Sequence, residues 1–79
     1  MAKAKPQKYF TYIEITSVIE RQIRELLQLR ERAKKEQAHR SAEYHLISAN
    51  AVFTHWEKLT KDFVKEEDHQ RIKQLLEDR

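Results

Sequence analysis

Hydrophobic residues recur every three to four positions along two stretches of this chain, separated by a short polar link. In the first stretch Val18, Ile19, Ile23, Leu26, Leu29 and Ala33 fall on one broad face of a helical wheel, with Leu27 at its border. Glu20–Arg24, Arg21–Glu25, Glu31–Lys35 and Arg32–Glu36 are spaced i,i+4, mainly on the opposite side, as on a solvated face. In the second stretch the apolar arc holds Ala42, Leu46, Ala49, Val52, Phe53, Trp56, Leu59 and Phe63, its large residues concentrated in the later half. The spacing predicts helix 1 over about residues 17–37 and helix 2 over about 42–63, each roughly 30 Å long at the standard rise. Two amphipathic helices of equal length joined by a short link make an antiparallel hairpin.

Local signals set the expected ends. Ser17 and Glu20 have the Ser-x-x-Glu spacing of a capping box. Ala38-His39-Arg40 forms the expected turn, with Ser41 as the next N-cap and Glu43 in a first turn that favours negative charge. After Phe63 the apolar phase breaks. Glu66-Glu67-Asp68 leads into a short third helix, about residues 68–77, bearing Ile72, Leu75 and Leu76. Residues 9–16, rich in aromatic and β-branched side chains, are where strand competes with helix. The helical reading is preferred, with Tyr12 and Ile15 extending the apolar face of helix 1; a strand would have only the same segment of a second copy to pair with. Glycine is absent and Pro6 is the only proline, so turn punctuation is missing after residue 6. The expected organisation is a flexible basic arm, residues 1–8, followed by one all-α domain over 9–79.

Composition changes this picture in one respect. A chain of 79 residues buries a modest core, and with no cysteine it has neither disulfides nor thiolate metal sites to support it. Self-association is the expected remedy. No stretch approaches the roughly 20 apolar residues that span a bilayer, and MAKAKPQKYF, basic with no apolar run behind it, does not read as a signal peptide. A cytoplasmic protein is expected. The net charge of +3 resides in Lys3, Lys5 and Lys8, because the other thirteen Lys and Arg are matched by thirteen Asp and Glu.

Candidate chemistry is sparse. His39, His45, His55 and His69 lack metal-ligand spacing; His45, on the apolar arc of helix 2, reads as a hydrogen-bonded or partly exposed core histidine. Arg30 lies on the apolar face of helix 1, where a charge must be paired, snorkel or serve a ligand. The stretch IERQIRELLQLRERAKKE, Ile19 to Glu36, resembles the first helix of the helical chorismate mutases. The resemblance implies a carboxylate-holding role for Arg30; the later helices match none of that family's remaining polar positions. Without cysteine, a Gly-flanked serine or a glycine-rich phosphate loop, neither an enzyme nor a cofactor is expected.

Two binding functions remain. The alternative reading is a dimeric DNA-binding regulator: residues 21–40 hold seven Lys and Arg against Glu25, Glu31 and Glu36, with Lys3, Lys5, Lys8, Arg32 and Lys35 as the phosphate contacts. A strand at 9–16 followed by two helices also resembles the ribbon-helix-helix repressors, although helix 1 is long for that family and the turn lacks its glycine. The preferred reading rests on helix 2. Tyr44, Ile47 and Ala51 form a second apolar strip, and Tyr44 to Trp56 carries no formal charge. A helix apolar on two sides is covered on two sides. A homodimer closing a four-helix-type bundle over this strip, acting as a regulatory or scaffolding module for a protein partner, is therefore expected.

Overall fold

The computed structural model describes residues 11–77, which form three α-helices and no strand: α1 Tyr12–Lys35, α2 His39–Leu59 and α3 Glu66–Glu77. Residues 12–16 belong to α1, so the aromatic and β-branched segment continues the helix; Tyr9, Phe10 and the basic arm lie outside the described residues. Thr11, not Ser17, caps α1. The Glu14 amide donates to Thr11 Oγ1 at 3.1 Å and the Thr11 amide donates to Glu14 Oε1 at 2.9 Å, a capping box of the same form six residues earlier. Starting there brings Tyr12, Ile15 and Thr16 onto the inward face, whereas a start at Ser17 leaves them unpacked.

The link to α2 is a Schellman turn. The Gln37 amide donates to the Lys34 carbonyl at 3.0 Å and the Ala38 amide to the Ala33 carbonyl at 2.8 Å, closing the last turn of α1. Gln37 holds φ 61°, the left-handed position where glycine normally sits, at a cost of roughly 1 kcal/mol. This geometry delivers the chain into α2 at His39, earlier than expected. Ala38 is the N-cap residue and makes no side-chain cap bond, and Ser41 lies within the first turn. The far end of α2 also comes early. Thr60 donates to the Trp56 carbonyl through its amide, at 3.0 Å, and through its hydroxyl, at 2.8 Å, which ends the helix and leaves Phe63 in the following turn.

α1 and α2 form the antiparallel hairpin, and α3 returns along one flank of its open end. Ile23, Leu27, Ala49, Phe53, Trp56 and Ile72 make the core, with Ile23, Ala49, Trp56 and Ile72 fully buried. Each large side chain there contributes roughly 1.5–3 kcal/mol by leaving water. Trp56 is the pivot: its indole Nε1 donates to Thr16 Oγ1 on α1 at 3.0 Å, satisfying both buried polar groups.

Candidate interaction surface

α3 sits where polar groups from all three helices meet. Tyr12 Oη donates to Asp68 Oδ2 at 2.7 Å and accepts from the Lys65 amide at 3.1 Å. Arg71 Nη1 donates to Asp68 Oδ1 at 2.8 Å, and Arg71 Nη2 donates to Glu20 Oε1 at 2.9 Å; Glu20 also accepts from Arg24 at 2.9 Å. The Arg71 guanidinium holds the Glu20 carboxyl below the usual carboxylate range. Asp68 is held below it too, first by the Tyr12 hydroxyl and then by Arg71. Burial, followed by the bond to Asp68, pushes the Tyr12 phenol up. On the α2 side His69 Nε2 lies 2.7 Å from Glu57 Oε2, its ring stacked 6.1 Å from Trp56 and tilted 5.4 Å from Phe53. These contacts fix α3 to the flank formed by Glu20, Phe53 and Glu57. An open groove of about 370 Å³ beside them is lined by Tyr12, Ile13, Thr16, Ser17, Lys65, Glu67, Asp68 and Arg71, of which Asp68 bonds Tyr12 and Arg71, and Thr16 bonds Trp56.

The strip on α2 is left uncovered. Tyr44 and Ile47 are 66 % and 62 % exposed, and Ala51 is exposed between them and the helix end. A shallow groove of about 390 Å³ runs along it, lined by Ile47, Asn50, Ala51, Thr54, His55 and Lys58. The third helix therefore does not cover the strip; it occupies another side of the hairpin. The flank of the hairpin away from α3 is open as well, with a groove of about 300 Å³ lined by Gln22, Glu25, Leu26, Leu29 and Val52. Val18 and Leu29, expected on the buried face of helix 1, are 39 % and 40 % exposed. Leu59 and Phe63, expected on the arc of helix 2, are half exposed, Phe63 packing edge-on to Tyr12 at 5.9 Å.

Arg30 and His45 both lie on the inward stripes of the hairpin. Arg30 lies between Leu27 and Ala33 on the inward stripe of α1, His45 between Ala42 and Ala49 on that of α2, and the two are equally far from the turn. The Arg30 side chain is 15 % exposed, with Glu31 3.7 Å from its Nη1. Arg30 Nη1 and His45 Nδ1 are buried, and neither has a hydrogen-bond partner among the described residues. The buried Arg30 head is thus held by its ion pair with Glu31 and by no hydrogen bond. Among the described residues no three His, Asp or Glu side chains come together as a metal cluster. Arg32 and Lys35 are exposed in the last turn of α1, where basic groups complement the helix dipole; Lys3, Lys5 and Lys8 lie outside the described residues. The strand that a ribbon-helix-helix reading needs is not formed by residues 12–16.

No protein-family model matches the chain, and no curated protein or solved structure is significantly similar to it. No described helix is long and apolar enough to cross a membrane. The surface must be read from its own chemistry. Sequence reasoning singled out Tyr44, Ile47 and Ala51, which are exposed, but missed the Arg71–Glu20 and Tyr12–Asp68 bonds that seat α3, whose partners lie 51 and 56 residues apart. The legible signals were the extension of the apolar face to Tyr12 and the buried indole of Trp56, which requires an acceptor.

Proposed function

We propose that this protein is a non-enzymatic interaction module that works as a homodimer joined through α2, presenting its helical hairpins to a protein partner in a regulatory or scaffolding role. The observation that carries this reading is the strip of Tyr44 and Ile47, both about two-thirds exposed, on a segment without formal charge from Tyr44 to Trp56. Apolar surface of that kind on a small domain marks an interface. The only spare helix of the described chain, α3, is already seated on another flank. Self-association also supplies the burial that a disulfide-free chain of this size lacks.

Sedimentation equilibrium tests it. The wild type is expected to be a dimer at tens of micromolar, and Ile47→Asp, which places an unpaired carboxylate in the interface, is expected to yield a folded monomer. A monomeric wild type, or an Ile47→Asp variant that stays dimeric, overturns the reading.

A further inference from the structure

The outward ridge of α1 carries charge of one sign. Ser17, Arg21, Arg24, Gln28, Arg32 and Lys35 are all exposed, and each follows the last by three or four residues. They fall within about 80° of one another around the helix, on the side away from Ile23. No acidic or apolar side chain stands among them. The acids of α1 are turned elsewhere: Glu14 closes the Thr11 capping box, Glu20 accepts from Arg71 and Arg24, Glu25 lines the groove of Leu26 and Leu29, and Glu31 lies 3.7 Å from both Arg30 and Lys34. The i,i+4 pairs expected for Arg21, Arg32 and Lys35 are therefore open, and among the described residues these three cations make no ion pair. Arg21 stands three residues from Arg24, and Arg32 three from Lys35, a spacing at which like charges repel. An anion from outside the chain relieves that repulsion.

Spacing and composition select the anion. The cations form two pairs whose midpoints stand roughly 16 Å apart along the axis at the standard rise. B-form DNA presents a row of phosphates on each wall of a major groove about 12 Å wide. One pair can therefore meet each wall while the helix bridges the groove; the major groove of duplex RNA is narrower. The ridge has no aromatic side chain on which unpaired bases would stack, and no apolar one to enter a bilayer or anchor a protein partner.

We infer that the outward ridge of α1 is a docking surface for duplex DNA, with Arg21 and Arg24 on the phosphates of one strand and Arg32 and Lys35 on those of the other. Contacts of this kind position a protein on the duplex without reading a base, so the binding is indifferent to sequence. The ridge and the α2 strip are on different helices, so this surface does not depend on the dimer proposed above.

Fluorescence anisotropy of a labelled DNA duplex of about 20 base pairs, titrated with the full chain at about 50 mM KCl, tests this; sedimentation of the same samples reports the dimer separately. Binding on the order of micromolar is expected, equal for unrelated sequences and weakened by added salt. Arg21→Gln, Arg32→Gln and Lys35→Gln, each checked for helix content by circular dichroism, are expected to weaken binding and to flatten the plot of log K against log salt by about 1 apiece. Lys61→Gln, the same change of charge at an exposed position off the ridge, is expected to leave the slope unchanged. No binding at this salt overturns the inference. So does binding that the ridge variants keep and that deletion of residues 1–8 abolishes, which assigns the DNA to the basic arm. A Lys61→Gln loss equal to theirs overturns it too, by reducing the effect to net charge. Tighter binding to a single strand or to duplex RNA of the same length overturns the choice of duplex DNA.

Discussion

The two ends of the hairpin solve the same packing problem with different materials. At the open end Trp56, Ile23, Phe53 and Ile72 interlock, an indole N–H meets a threonine hydroxyl, and α3 is held by a tyrosine, two carboxylates and an arginine in mutual contact. At the turn end the buried apolar residues are Ala33 and Ala42, the inward stripe carries Arg30 and His45, each with a buried nitrogen that has no hydrogen bond, and Tyr44 and Ile47 are exposed. The difference is one of coverage. A pair of helices buries one stripe of each, and large side chains find enclosure only where a third element closes the side; where none does, alanine brings the backbones together and the bulky residues turn out. The open end is a closed core, and the turn end is a narrow one open on its flanks.

The largest expected effect tests whether the open end carries the stability. Trp56→Ala removes the residue around which α1, α2 and α3 pack and orphans the Thr16 hydroxyl, so a loss of about 3–5 kcal/mol is expected in urea denaturation. A loss below about 1 kcal/mol would show that the helices hold without this core.

Acid should separate α3 from the hairpin. Glu20 and Asp68 have folded-state pKa values below their ordinary ones, so their contribution is complete above the usual carboxylate range, near pH 4, and is lost as pH falls through the depressed values. Amide protection across Glu66–Glu77 is expected to fall before that of Ile23 and Leu27 as pH is lowered below about 4. Simultaneous loss in all three helices would mean that the polar contacts do not govern the seating of α3.

The smallest effect belongs to the turn end. Replacing Arg30 by methionine keeps most of the side-chain volume and removes a buried nitrogen that has no hydrogen bond and only a 3.7 Å ion pair with Glu31, so stability is expected to stay level or rise by up to about 1 kcal/mol. A clear loss, read in the same urea titration as Trp56→Ala, would show that the Glu31 pair outweighs the cost of burying the guanidinium.

What the sequence determined by itself was local and periodic. The spacing of Ile23, Leu26, Leu27 and Ala33, and of Ala42, Ala49, Phe53 and Trp56, specified two amphipathic helices, and the uncharged segment from Tyr44 to Trp56 marked the strip left exposed. The acidic run Glu66-Glu67-Asp68 marked the start of α3. Helix ends were less legible, since Thr11 and Ser17 offer equivalent caps and only the packing of Tyr12 and Thr16 separates them; Gln37 occupies a left-handed position that sequence assigns to glycine. The tertiary structure alone decided which flank α3 would take, and that Arg71 would reach Glu20 and Tyr12 would reach Asp68. The physical reason is range. Helix periodicity is a property of neighbours three and four residues apart, whereas these pairings join residues that become adjacent only after the chain has reversed twice, and no local preference encodes them.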